Sequence, residues 1–207
     1  MAFSFSPKVV TDGLVLALDA ANPRSYPGSG TSWRDLTANN YIGSLINGPT
    51  FSSANGGALV FDGVDDYYQT TIPAYSIITV NIWFYPISGT GLFLYGDSPS
   101  FPITLIDYDA SGNIRIYIYN NYQTFSSVVT LNRWNLITLV LDSSSKFLYV
   151  NGNFVGSGGY GGIAGQTGIV RLGVQNLIGY GNSRIASAQI YNRAPVSYTH
   201  LTLPTKA

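Results

Sequence analysis

The sequence predicts an all-β fold, a two-sheet antiparallel β-sandwich. Three observations lead there. Apolar or alternating runs of strand length recur along the chain, while no window sustains a 3.6-residue apolar period. Glutamate is missing and the only methionine is Met1, so two of the better helix formers are gone. The 23 glycines and 10 prolines divide the runs into hairpin-sized pieces. The 207 residues suit one large sandwich domain, long enough to bury about 70% of its unfolded surface without staples.

Each run has its own reading. Residues 13–19 (GLVLALD) and 58–62 (ALVFD) are short and apolar, as buried strands are. Residues 77–85 (IITVNIWFY) and 134–142 (WNLITLVLD) are apolar on both faces and read as central strands. Residues 113–119 alternate: Ile114, Ile116 and Ile118 share one face, Arg115, Tyr117 and Tyr119 the other. Residues 146–150 and 153–155 flank Asn151-Gly152, a strong hairpin signal. Residues 168–173 and 185–191 complete the set. Residues 20–57 read as a long loop, rich in Asn, Gly, Ser and Pro and anchored by Trp33 and Leu36. Such a loop is expected to be functional or pinned to a sheet edge.

The last residues break the pattern. The stretch VSYTHLTLPT at 196–205 back-translates into the mosaic-end adapter of a transposase-based sequencing library. The expected organisation is an N-terminal arm (1–11), a sandwich (12–194) and a non-native, adapter-derived tail (195–207). On this reading the gene comes from a metagenomic contig and the native sequence is lost after Ala194.

What the chain lacks limits its chemistry. It has no glutamate and no cysteine, and its one histidine, His200, falls in the tail. Proton transfer, nucleophilic attack and metal ligation mostly draw on those residues, so an enzyme is not expected. Ten Lys+Arg balance ten Asp, and charged residues make up 10% against a usual quarter or about 25%. Without a basic field nucleic acid is not an expected partner. The weak repulsion between copies favours a homo-oligomer. No run is long enough for a membrane helix, so no membrane insertion is expected, and the N-terminus does not read as a Sec signal.

Taken in order, several motifs carry a resemblance. They are DGLVL at 12–16 with LDAANP at 18–23, WRDL at 33–36, NGP at 47–49 and FDGVDDY at 61–67. IWF at 82–84, LYVNG at 148–152 and IYNRA at 190–194 follow. The chain resembles the concanavalin A-like lectin/glucanase superfamily, in the laminin G-like jelly rolls of bacteriophage structural proteins and bacterial surface proteins. That resemblance implies a concanavalin A-like jelly roll and a carbohydrate-binding, non-catalytic, lectin-like module. It also implies a partner that is either a glycan or the neighbouring subunits of a virion. Display on a virion or a bacterial surface follows from it, with synthesis in the host cytoplasm. The alternative is a purely architectural phage subunit, a capsid decoration or tail-associated protein. The glucanase members use a strand with two glutamates, which this chain lacks.

Candidate sites are weighed on that footing. The Arg115, Tyr117 and Tyr119 face offers aromatic rings to sugar C–H faces and a guanidinium to hydroxyls. Its alternative use is a subunit contact. Gly156–Gly161 (GSGGYG) matches the spacing of a dinucleotide loop, but no helix follows to hold a phosphate, so it reads as a flexible loop. That loop would leave Tyr160 exposed as a further ligand contact. Asp107 and Asp109 read as the turn before the 113–119 strand rather than as a catalytic pair. The resemblance suggests Ca²⁺ at a sheet rim, with Asp19, Asp35, Asp62 and Asp65 as candidate ligands and Asp66 beside them. Asp62-Gly63 is equally an ordinary turn. Trp33, Trp83 and Trp134 read as core or edge packing.

Overall fold

A computed structural model describes residues 9–96, 104–118, 121–161, 168–175 and 179–194. The expected arm up to residue 8, Tyr119 and the tail lie outside these residues. Among the described residues there are seventeen strands. The first six are β1 Leu14–Asp19, β2 Ser32–Arg34, β3 Ile42–Ile46, β4 Thr50–Ser52, β5 Ala58–Asp62 and β6 Tyr67–Thr71. Then come β7 Ile78–Gly89, β8 Gly91–Tyr95, β9 Thr104–Tyr108, β10 Ile114–Ile118, β11 Asn121–Phe125 and β12 Asn135–Leu141. The last five are β13 Ser145–Val150, β14 Asn153–Gly159, β15 Ile169–Leu172, β16 Val174–Gln175 and β17 Gly179–Tyr191.

The strands form two antiparallel sheets. The nine-stranded sheet runs β14-β13-β12-β7-β17-β5-β4, with β1 and β16 also paired to β17. The eight-stranded sheet runs β11-β10-β9-β8-β15-β6-β3-β2. One face of each is apolar. Leu16, Phe61, Ile82 and Phe84 from the first sheet meet Tyr68, Phe93, Ile106 and Ile116 from the second in one buried core. The expected sandwich is therefore observed. The Asn151-Gly152 hairpin joins β13 to β14, with both residues at positive φ (52° and 81°), as a type I′ turn requires.

Two expectations are corrected. Residues 20–57 are not a loop: they contain β2, β3 and β4, which pair at the edges of the two sheets. Trp33 anchors this stretch in the core, fully buried against the Tyr68 ring at 5.3 Å. Nor is the glycine run at 156–161 a loop from its start. β14 continues to Gly159, paired with β13. The glycines are needed for packing: a Cβ at Gly156 would stand 2.8 Å from the Phe125 ring, and one at Gly158 would stand 2.3 Å from Gln123 Oε1. Bare backbone thus lets β14 approach β11 where the edges of the two sheets meet. Lys146, buried on the inner face of β13, donates across that gap to Asn121 Oδ1.

Gly43 in β3 shows how tight the other edge is. A Cβ there would lie 2.1 Å from the ring of Tyr68, which is fully buried and cannot swing away. Gly43→Ala is expected to destabilise by about 2–3 kcal/mol through overpacking. Gly152→Ala meets nothing within 4 Å and has only its positive φ to oppose it, costing about 1 kcal/mol. Urea midpoints of the two variants measure this; equal losses would mean that Tyr68 yields.

Candidate functional site

The core fixes which side chains face outward. On β10, Ile114, Ile116 and Ile118 are buried in the core, which turns Arg115 and Tyr117 to the other face. The register carries that face across the eight-stranded sheet. Tyr117 lies opposite Tyr122 on β11 and opposite Leu105 on β9. Leu105 then pairs with Leu94, Leu94 with Arg171, and Arg171 with Gln69. Leu94 and Leu105 do not belong to the core between the sheets, yet each is only 1% exposed. The middle of the outward face is therefore closed, and its open end is the tyrosine pair.

At that end Tyr117 and Tyr122 are 38% and 50% exposed, and their ring centroids are 5.0 Å apart at an angle of 57°. Two tilted rings of this kind offer π faces to an apolar ligand surface. In the next row Arg115 donates from Nε to Asp107 Oδ1 at 2.5 Å. Further along the face Arg171 donates from Nε to Gln69 Oε1 at 2.7 Å. Tyr122, Arg171 and Gln69 were not singled out in the sequence. The signal for Tyr122 was its place opposite Tyr117, legible only once the register Ile118↔Asn121 is known.

Asp107 corrects an expectation. It belongs to strand β9, 2% exposed, rather than to the turn before β10. The turn begins at Asp109, whose carboxylate accepts from Ser111 N, Asn113 N and Asn113 Nδ2. Those bonds hold the Asp109 carboxyl below the usual range against its partial desolvation. Both carboxylates are thus engaged, one by Arg115 and one by its own turn. Tyr160 corrects another expectation: it is 8% exposed rather than standing free. Its N–H donates to Ser144 O and its hydroxyl to Asp142 O, and burial pushes that hydroxyl up to about 12. The backbone pairing of β14 with β13 leads it inward instead of out into a loop.

The four aspartates proposed for Ca²⁺ do not converge. Asp35 is buried and its carboxylate accepts from Ala17 N, Thr37 N and the Thr37 hydroxyl, clasping β1 to the 35–37 segment. Asp19 accepts from Ala21 N in a local turn. Among the described residues, Asp62, Asp65 and Asp66 do come together, with ligand oxygens within 4.8 Å of one another. Asp66 is 4% exposed; burial, then the neighbouring Asp62 and Asp65 charges, push its carboxyl up, while the Asp62 N–H pulls it back. Three clustered hard oxygens, one of them desolvated, fit the donor set that Ca²⁺ takes.

On the nine-stranded sheet the outward face is also aromatic. Trp83 and Trp134 lie nearly parallel, 6.3 Å apart. Tyr85 meets Trp134 edge-on at 5.6 Å, and the Arg184 guanidinium sits 5.2 Å over the Tyr85 ring. Trp33 is core as expected, whereas Trp83 and Trp134 are half-buried on this outer surface.

The Asp107–Arg115 pair makes a pH prediction. Burial is the largest influence on Asp107 and pushes its carboxyl up; the Arg115 hydrogen bond and charge pull it down without cancelling the rise. A raised carboxyl stabilises the fold while protonated. That contribution is complete below the unfolded value of about 3.9 and is lost as pH rises through the folded value. Urea unfolding of the wild type and Asp107→Asn, from about pH 3 to about pH 7, should show the wild type losing ground as pH rises. Parallel curves would refute the assignment.

Comparison with known proteins places this fold. Residues 62–197 match the family model Laminin_G_3, described as concanavalin A-like lectin/glucanases superfamily. No curated protein matches the chain. Among solved structures, Trypanosoma rangeli sialidase is similar at 16% identity and a TM-score of 0.70, over 91% of this chain and 32% of the sialidase. The chain thus spans about a third of that protein. Domain 4 of AbnA, a GH43 extracellular arabinanase from Geobacillus stearothermophilus solved with arabinotriose, is similar at 15% identity and a TM-score of 0.69. That match covers 91% of this chain and 96% of the domain. The botulinum neurotoxin type G receptor binding domain is similar at 11% identity and a TM-score of 0.68, over 91% of this chain and 50% of the domain. At these identities the likeness concerns the fold. The family match covers well over half of the sequence, and the chain belongs to the concanavalin A-like lectin/glucanases superfamily.

Proposed function

We propose that the chain is a non-catalytic carbohydrate-binding module, displayed on a virion or a bacterial surface, that grips glycans at the open end of its eight-stranded sheet. The observation that carries this reading is the exposed Tyr117–Tyr122 pair beside the Arg115 guanidinium. Sugar rings present C–H faces to aromatic rings and hydroxyls to guanidinium donors. The superfamily membership and the arabinotriose-bound arabinanase domain support a saccharide as the ligand class. The engagement of Asp107 and Asp109 supports binding without turnover, because neither carboxylate is available as an acid or a base. Asp62, Asp65 and Asp66 are the residues that would hold a Ca²⁺ ion.

A second reading has its own observation. The outward Trp83, Trp134 and Tyr85 cluster, with Phe154 53% exposed on the same sheet, offers an apolar face for a neighbouring subunit. On that reading the chain is an architectural virion subunit, or a homo-oligomer, that binds no sugar. Analytical ultracentrifugation discriminates: a monomer at all concentrations tested counts against it.

A glycan array run with Ca²⁺ and again with chelator tests the first reading. Saturable binding to at least one glycan is expected. Tyr117→Ala and Tyr122→Ala should each weaken it by about tenfold while changing stability by less than about 1 kcal/mol. Loss with chelator should be reproduced by Asp66→Asn. A blank array from folded protein would end the carbohydrate assignment.

A further inference from the structure

Opposite the tyrosine end, the eight-stranded sheet finishes at β3 and β2. A turn packs onto that edge through its backbone. Ser25 N and Tyr26 N both donate to Asn22 O at 2.8 Å, and Arg34 N donates to Ser25 O at 2.9 Å. The Ser25 hydroxyl donates to Arg34 O and accepts from Asp19 N. These bonds hold the segment bearing Arg24 against the strand bearing Arg34. Between them lies a cleft of about 350 Å³, lined by both arginines with Asp35, Thr37, Asn40 and Ile42.

The charge of this cleft is unbalanced. The Asp35 carboxylate is buried and spent on Ala17 N, Thr37 N and the Thr37 hydroxyl. Among the described residues, neither guanidinium has a hydrogen-bonding or ion-pair partner. The chain has only ten Lys and Arg, and a hydrogen-bonded frame brings two of them to one cleft whose one carboxylate, Asp35, is hydrogen-bonded elsewhere and pairs with neither. Two exposed guanidinium groups lining one cleft attract an anion, and their forks match a carboxylate. Ile42, 58% exposed, adds an apolar edge. The volume is at the low end of ligand pockets, which run from about 300 to about 1,000 Å³, and suits a single ring.

We propose that this cleft binds an acidic sugar unit, a hexuronate, with its carboxylate between Arg24 and Arg34 and a C–H face of its ring on Ile42. The site is separate from the tyrosine pair. Six strand spacings of about 4.8 Å divide β10 from β2, about 29 Å in all. A chain of several sugars that contains uronic acid reaches both.

The test is a titration of the full chain with glucuronate and galacturonate, and with glucose and galactose as uncharged counterparts. Arginine Nε–H signals are followed by NMR. The acids should saturate and shift the Arg24 and Arg34 signals, and the neutral sugars should not. Arg34→Ala should weaken acid binding by at least about tenfold, and Arg34→Lys by less, since it keeps the charge but loses the fork. Arg24→Ala, in an exposed turn, is the second variant should Arg34→Ala fail to fold. Tyr117→Ala should leave the uronate-induced shifts of the Arg24 and Arg34 signals unchanged, so failure here and failure at the tyrosine pair are told apart. The proposal is overturned if neither acid saturates, if glucose or galactose shifts the same signals, or if sodium sulfate at matched ionic strength does so.

Discussion

The sandwich depends on the pairing of β7 with β17. These are the longest strands, 12 and 13 residues, and they run antiparallel through the middle of the nine-stranded sheet. β12 lies on the free side of β7, while β17 pairs in turn along its length with β16, β5 and β1. Its residues from Asn182 to Ile185 pair with β5 and those from Ser187 to Tyr191 with β1. The change of partner coincides with a register shift between Ile185 and Ser187. The extra residue there breaks the alternation, so Ile185 and Ala186 are both buried, and the freed Ala186 carbonyl accepts from Ala20 N. Pro86 lies beyond the last β12 pair and beside the second register shift, a position where a strand tolerates a missing N–H.

The ligand face follows from that scaffold by exclusion. With one apolar face of each sheet committed to the core, the side-chain period of two dictates the opposite face. Burying Ile114, Ile116 and Ile118 sends Arg115 and Tyr117 outward, and a slip of one residue would exchange the two sets. Tyr122 reaches Tyr117 only because β11 pairs Ile118 with Asn121. The tyrosine pair is therefore held by strands rather than by a loop, with little side-chain freedom left to lose on binding a sugar.

Much of this was legible in the sequence, and the failures have physical causes. The alternation of residues 114–118 gave the outward face, and Asn151-Gly152 gave the hairpin, because both signals are local. β2, β3 and β4 were read as loop because they are short strands at or next to a sheet edge whose stability comes from partners distant in sequence. β9 escaped because all five of its residues are buried on both faces, so Asp107 was assigned to the neighbouring turn. Tyr160 misled because flanking glycines suggest a mobile loop, whereas Gly156 and Gly158 are there to let β11 approach. Asp19 and Asp35 had the right chemistry for Ca²⁺, but their oxygens already satisfy backbone N–H groups. No sequence pattern distinguishes those from free carboxylates.

Scarcity of charge gives the remaining charges their meaning. Several of the few ionisable side chains serve the fold: Asp35 clasps β1, Asp107 holds Arg115, Lys146 ties β13 to β11 and Arg171 leans on Gln69. A buried ion pair such as Asp107–Arg115 adds little net stability, because desolvation offsets the attraction. What it contributes is placement, since it pins Arg115 next to Tyr117 in a fixed row. A neutral sugar is read by aromatic faces and a few donors, so a chain that is 14% aromatic and 10% charged has the composition for that task. Arg24 and Arg34 depart from the pattern. They support no core and, among the described residues, form no ion pair, yet a network of backbone hydrogen bonds holds them beside one cleft. In a protein with so few cations, two spent this way at one edge of the face are best accounted for by an anion that arrives from outside.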